Sequence, residues 1–359
     1  MRIGVLGTRG IPANYGGFET FAEELSVRLV ERGHDVTVYC RSRPRNTLFR
    51  GVHLRYVPTW RHKYFDTVVH TGISTGDVLF RSFDVLLYCN AANAVFTLWP
   101  RLRAVPTALN VDGLERHRKK WNRLAKAWYQ VSEWMATWCS TAVITDAEQI
   151  REYYWERYGK DSSFIPYGAD VGKVAGTETL TALGLSPGNY VLYVSRLEPE
   201  NNALAVREAF EKVTTNQKLA LVGDAPYAAE YIRQVRQTTD PRIIFPGAIY
   251  GDGYRQLQSH CSVYIQATEV GGTHPALIEA MGRGALVLYL NTPENREVAG
   301  EAAIPFEDDL VPKLQQALGM SERERAEWGA KAMDRVDRLY SWNAVTDAYE
   351  RLFRELVPA

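Results

Sequence analysis

Residues 4–25, GVLGTRGIPANYGGFETFAEEL, crowd five glycines into fourteen positions between an apolar run and an amphipathic pattern. The preceding run, RIGVLG, reads as a buried strand. After the glycines, Phe18, Phe21, Ala22, Leu25 and Leu29 recur at helical spacing, and ERGHD turns the chain into a second strand, VTVYC. Strand, glycine loop and helix in this order open a doubly wound sheet. The helix start offers unpaired N–H groups and the positive end of a dipole to an anion. Gly7, Gly10, Gly16 and Gly17 fit a phosphate cradle on those grounds, and a dinucleotide, a nucleoside triphosphate and a sugar nucleotide all suit it. The spacing matches neither G-x-G-x-x-G nor G-x(4)-G-K-[ST]. Position 41, just past the second strand, is arginine, which keeps an NADP-dependent oxidoreductase open as an alternative.

Outward from this stretch the alternation continues. Apolar runs at DVLLYC, PTALNV and AVIT alternate with helical segments until SSFIPYGADV interrupts them with Pro166 and Gly168. A second series follows at YVLYVSRL, LALVGD, IIFPGA, CSVYIQAT and ALVLYL. The pattern predicts two doubly wound α/β domains, residues 1–170 and 171–340. A last helix over 341–359 follows, with Trp342, Val345, Tyr349, Leu352 and Phe353 on one side. A length of 359 residues suits two cores, and 46% hydrophobic with 23% charged residues is ordinary for a soluble globular chain.

Charge and cysteine content narrow the class. The net charge is zero, so no global basic field points to nucleic acid. Residues 1–170 nevertheless hold 23 Lys/Arg against 17 Asp/Glu, which makes this half the better one for an anionic partner. Cys40, Cys89, Cys139 and Cys261 stand far apart, with no metal-binding or disulfide spacing, as expected in a reducing cytoplasm. The chain enters its first apolar run without a cleavable-signal pattern, and no stretch approaches the roughly 20 apolar residues of a membrane span.

Two further strings carry chemistry. In SRLEPENNALAVREAF, a strand delivers Ser195 and Arg196 at its end. A guanidinium there can clamp a departing diphosphate, and it equally fits a surface pair with Glu198 or Glu200. In ATEVGGTHPALIEAMGRGALVLYL, Gly271 and Gly272 form a turn, Thr273 or His274 can cap, and Pro275 suits the first helical position. Glu279 then lies one turn into the helix, where a carboxylate can accept from sugar hydroxyls.

These three strings, in this order, resemble the GT-B glycosyltransferases of the large retaining family four, over nearly the whole chain. Gly16-Gly17, Arg196-Leu197 and Glu279 match that family's motifs. GTRGIPANYGGFET, NVDGLERHRKKW, FIPYGAD and GGTHPALIEAM look more narrowly like bacterial capsular rhamnosyltransferases. The resemblance implies two Rossmann-like domains facing across a cleft, acceptor-side first and nucleotide-sugar-binding second, with the last helix returning to the first. It implies retaining, metal-independent transfer from a nucleotide-diphosphate sugar, dTDP-rhamnose by subgroup, to a lipid-linked or oligosaccharide acceptor of surface polysaccharide synthesis, without a resident cofactor. Asp112, Arg196 and Glu279 take the catalytic positions. Gly16, Gly17, Arg9, Asn201, Gly271, Gly272, Thr273 and His274 take donor-binding ones, and Glu115, Asn90 and Asn93 lie on the acceptor side, with His70 in the same region.

The departures from that family are local. Its phosphate-binding lysine is Asn201 here, and the earlier glutamate of its E-x(7)-E pair is Gly271, with Glu269 two residues out of register. Arg9 is the candidate replacement for the missing cation. These losses also admit a non-catalytic carbohydrate-binding protein. No D-x-D lies at a strand end. Finally, RHRKKWNRLAKAWYQVSEWMATW reads as a basic amphipathic helix over 116–138. Arg116, Lys119, Lys120, Arg123 and Lys126 lie on one side, with Trp121, Leu124, Trp128, Val131, Met135 and Trp138 on the other. It fits either an anionic membrane at the inner face or ordinary core packing.

Overall fold

A computed structural model describes residues 1–13, 16–60, 66–114, 116, 122–225 and 227–357. The chain divides into two compact units. The first comprises Met1–Tyr167 with Trp342–Ala359, and the second Gly168–Ser341.

In the first unit the described strands are β1 (Arg2–Leu6), β2 (Asp35–Cys40), β3 (Leu48–Phe49), β4 (Val52–Tyr56), β5 (Val85–Cys89), β6 (Thr107–Asn110), β7 (Ala142–Thr145) and β8 (Ser163–Phe164). They form one sheet in the order β3-β4-β2-β1-β5-β6-β7-β8. All neighbours are parallel except the β3–β4 hairpin. β1 and β5 are buried at every or nearly every position, as a sheet covered on both faces requires. The β4 strand escapes a search for apolar runs because it is half-buried. Val52 and Leu54 face inward while His53 and Arg55 face outward.

The second unit repeats the scheme with β9 (Tyr190–Val194), β10 (Lys218–Val222), β11 (Ile243–Gly247), β12 (Val263–Gln266), β13 (Val287–Leu290) and β14 (Ile304–Phe306). Their order is β11-β10-β9-β12-β13-β14, parallel throughout. Its core joins Val191, Tyr193, Leu219, Leu221, Val263 and Ile265 to Phe210 of the helix Ala203–Lys212. Both units are Rossmann-like, as the alternation predicts.

Strand order matters for function. In each sheet one strand has its sequence successor on one side and a later strand on the other, so the connecting helices diverge to opposite faces. That switch point lies at β1 with β5 in the first unit and at β9 with β12 in the second. Ligands of open α/β sheets bind beyond the carboxyl ends of such strands.

The terminal helix, Trp342–Leu356, belongs to the first unit and buries Trp342, Val345, Tyr349, Leu352 and Phe353. Tyr349 packs 5.3 Å from Phe21 between ring centroids, and its hydroxyl accepts from Asn110 Nδ2 at 2.9 Å. Arg32 bridges to Asp347 at 2.6 Å and Glu350 at 3.0 Å, and Arg28 lies over the Trp342 ring.

Candidate active site

In the first unit the loop after β1 divides its glycines between two tasks. Gly7 and Gly10 have φ of +91° and +101°. A Cβ on Gly7 would stand 2.3 Å from the Cys89 carbonyl oxygen, and one on Gly10 would stand 2.7 Å from Cys40 Cα. These two glycines let the loop press against β5 and β2, which is a packing role rather than a phosphate contact. Gly16 and Gly17 differ. They begin the helix Gly17–Glu31 with extended backbone at Gly16, and a Cβ on Gly16 would meet only Glu19 Oε2, at 3.5 Å. Among the described residues no side chain caps that helix start.

Carboxylates fasten the loop to the helix. Arg9 N–H donates to Glu19 Oε1 at 3.0 Å and Ala13 N–H to Glu23 Oε2 at 2.6 Å. Burial pushes the Glu19 carboxyl above its ordinary range, against the Arg9 N–H and the charge of Arg41. The Arg9 side chain itself is exposed. Arg41 turns inward. Its guanidinium donates to Asp66 at 2.9 Å, to Thr67 Oγ1 at 3.1 Å, and to the carbonyls of Thr8 and Gly7 at 3.1 and 3.3 Å. This corrects the oxidoreductase alternative, since the arginine that was to meet a 2′-phosphate is buried and holds the loop from behind. His70 is also fully buried, beside Arg41 and Asp66, and its pKa is pushed down to about 4, chiefly by desolvation.

At the ends of β5 and β6 two non-glycine residues adopt positive φ, Asn90 at 76° and Asp112 at 59°. Such conformations are costly and concentrate at functional sites. Asn90 N–H donates to the Asn110 carbonyl at 2.9 Å, tying the two strand ends together. The Asp112 N–H donates to Asn110 Oδ1 at 3.0 Å, and its Oδ1 accepts from the Tyr167 hydroxyl at 3.4 Å. Tyr167 is buried edge-on against Phe21, with ring centroids 5.5 Å apart. Asn90 Oδ1 caps Ala92 N–H, and Asn93 is fully buried with its amide donating to the Cys89 carbonyl. Asn93 is therefore a loop fastener, and neither it nor the fully buried His70 is exposed to an acceptor. Glu115, Lys119, Lys120 and Trp121 lie outside the described residues.

In the second unit Arg196 follows β9, half-buried, with Nη2 3.8 Å from Glu198 Oε2. The neighbouring loop is hydrogen-bonded to Arg196. Asn201, 4% exposed, donates from its amide to the Arg196 carbonyl at 2.6 Å. The position expected to face a phosphate instead shapes the arginine's backbone. Glu269 accepts from Asn202 Nδ2 at 2.9 Å, and its N–H donates to the Glu200 carbonyl at 2.9 Å. It clips the loops after β9 and β12 together.

Beyond β12, His274 is the N-cap of the helix Pro275–Gly282, but no side chain caps it. The His274 ring bonds Asn295 Oδ1 at 2.7 Å instead. A Cβ on Gly271 would fall 2.4 Å from His274 Nε2, so the imidazole fills the space a side chain at 271 would need. Gly272 and Thr273 are buried beside this turn. Glu279 Oε2 accepts from the Tyr254 hydroxyl at 2.6 Å, and that hydroxyl accepts from Gln258 Nε2 at 2.7 Å. The second unit thus gathers Arg196, the 271–274 turn and Glu279 at its switch point. The first unit gathers Gly16, Gly17, Asn90 and Asp112 at its own. Tyr254 enters these sites without a sequence motif to announce it, while Tyr167 and Glu19 lie within FIPYGAD and GTRGIPANYGGFET, which assign them no role. Among the described residues no group of three His, Cys, Asp or Glu side chains is placed to hold a metal ion.

Comparison with known proteins follows this division. Residues 15–173 match the family described as Glycosyltransferase Family 4, and residues 188–320 match Glycosyl transferases group 1. No curated protein sequence matches the chain significantly. Among solved structures, Anabaena HepE in complex with UDP and glucose is similar over 99% of this chain and 100% of that one, with a TM-score of 0.80 and 13% identity. Sucrose-phosphate synthase from Thermosynechococcus elongatus is similar over 99% and 98%, with a TM-score of 0.77 and 18% identity. WaaG, a glycosyltransferase involved in lipopolysaccharide biosynthesis, is similar over 97% and 99%, with a TM-score of 0.73 and 16% identity.

Proposed function

From the premise that the chain is a glycosyltransferase of the GT-B fold, we propose that it transfers a sugar, with retention of configuration, from a nucleotide-diphosphate donor held by its second unit. The carrying observation is that Arg196 and Glu279 follow the adjacent strands β9 and β12, Glu279 on a helix whose start no side chain caps among the described residues. Arg196 neutralises the diphosphate, the backbone N–H groups of Gly272, Thr273 and His274 supply donors, and Glu279 accepts from donor hydroxyls.

The bond from the anomeric carbon to the diphosphate oxygen breaks while the acceptor oxygen bonds that carbon on the same face. The acceptor's proton passes to the leaving diphosphate. No strong protein base is needed, and the protein's contribution is positioning and charge. Asp112, set by Asn110 and Tyr167, orients the acceptor hydroxyl. Resemblance to capsular enzymes favours dTDP-rhamnose as donor and a lipid-linked acceptor of surface polysaccharide at the inner face of the membrane. The HepE complex with UDP-glucose supports the nucleotide-sugar class.

The test is a melting-temperature screen of purified protein against nucleotide sugars, with release of nucleoside diphosphate measured alongside. A stabilising donor is expected, and Arg196→Ala should weaken its binding at least about tenfold with an unchanged fold, the loss of one charge-assisted pair. Equal binding by Arg196→Ala would overturn the reading.

A further inference from the structure

The helix Arg123–Cys139 is built inside out. Its buried face is Tyr129, Ser132, Glu133, Ala136 and Cys139, small or polar in the main. Its largest apolar side chains point the other way. Leu124 is 81% exposed, Val131 47%, Trp134 53%, Trp138 44% and Trp128 38%. At 100° per residue these five lie within one sector of the helix, Trp134 at its edge, and Trp134 and Trp138 pack edge to face at 5.4 Å.

This rotation is fixed. Glu133 is buried with Arg116 Nε at 3.1 Å and the Tyr153 hydroxyl at 2.9 Å, and Arg116 donates to Tyr153 at 2.8 Å. Turning the tryptophans inward would strip a buried carboxylate of its partners. The same contacts correct the sequence expectation: the helix starts at Arg123, and Arg116 is paired inward rather than part of a basic outer face. An apolar ridge held outward by a buried ion pair needs an occupant.

We propose that this ridge is a membrane-docking surface that seats in the headgroup–acyl boundary of an anionic bilayer. The inference rests on the reading of a lipid-linked acceptor and names the surface that serves it. Charge decides the occupant. Among the described residues of 99–139, Arg101, Arg103 and Arg123 are exposed while Glu133 is buried. Arg123 borders the ridge on the helix itself, beside Trp134. At its far end Arg101 donates to the carbonyls of Trp138 and Ser140, which brings exposed Leu102 beside it. Tryptophans with basic neighbours on an in-plane helix are what an anionic interface binds. Two copies paired through this face would set the same cations against each other. Among the described residues no helix is long and apolar enough to cross a membrane.

The experiment compares sedimentation of the full chain with phosphatidylglycerol/phosphatidylcholine vesicles and with phosphatidylcholine vesicles alone, and quenching of its tryptophans by brominated lipid. Binding to the anionic vesicles with quenching is expected. The double variant Trp134→Ser/Trp138→Ser should bind at least about tenfold more weakly, while Trp155→Ser, on another exposed site, should bind as the parent does. Matched melting curves guard against misfolding. Unchanged vesicle binding by the double variant, equal binding to neutral vesicles, or a dimer that the double variant abolishes would each overturn the proposal. A chain that docks through these tryptophans yet releases no nucleotide from any sugar donor leaves the docking surface standing and overturns the functional reading alone.

Discussion

At the scale of single residues, the aim of Glu279 depends on a side chain 25 positions away. The Tyr254 hydroxyl, itself steadied by Gln258, donates to the carboxylate at 2.6 Å. Tyr254→Phe keeps the ring and removes that bond. The expected result is a several-fold rise in donor KM, with kcat changed less and stability lowered by about 1.5–3 kcal/mol, the range for a hydrogen bond to a charged group. Unaltered donor kinetics would mean that Glu279 is held by other means. His70 gives a second residue-scale prediction. Its pKa falls from 6.5 to about 4 in the fold, so the native state resists a proton that the unfolded chain accepts. Stability is fully present above pH 6.5 and declines as pH drops toward 4, by about 3 kcal/mol in all. Urea melts of the parent and of His70→Asn across that window check it, since the variant should show a flatter slope. Motif spacing singles out Arg196, Glu279 and Asp112. It gives no role to Tyr254 or Tyr167, whose partners come from distant elements, and it is blind to the burial that turns Asn93, Asn201 and Arg41 from ligand candidates into fasteners.

At the scale of elements, the glycine loop is more constrained than its composition implies. Gly7 combines a left-handed φ with a Cβ position 2.3 Å from a β5 carbonyl. Gly7→Ala must therefore shift the loop or the strand, and a loss of about 2–4 kcal/mol is expected, read as a lower urea midpoint. Gly16→Ala has room and an extended φ, so its effect should fall on donor or acceptor kinetics rather than on stability. Strands fully buried on both faces, such as β5 and β9, are plain in the sequence because every position is apolar. β4 and the 123–139 helix are not. Periodicity locates an apolar stripe but does not say which stripe the core takes. In that helix the core takes the one carrying Ser132 and Glu133, because Arg116 and Tyr153 wait there.

At the scale of the whole molecule, the first unit is discontinuous and the second is not. Ala169 and Ser341 form a parallel bridge, and Ala169 N–H donates to the Tyr340 carbonyl at 2.8 Å, so the ends of the second unit lie side by side. Residues 168–341 expressed alone should fold, with a cooperative melt of their own. A chain stopped after Ser341 should lose the cooperative melt of its first unit, because Tyr349 and Phe353, both fully buried, leave with the last helix. The arrangement also inverts the order of birth. A ribosome completes the inner unit while the outer one, begun first, still lacks its closing piece. The nascent first-unit sheet must wait, with the surface around Phe21 bare, until the Trp342–Leu356 segment leaves the exit tunnel. For this chain the Trp342–Leu356 segment is the first unit's last chance to close, and a chain broken before it would yield one finished half and one that chaperones must hold.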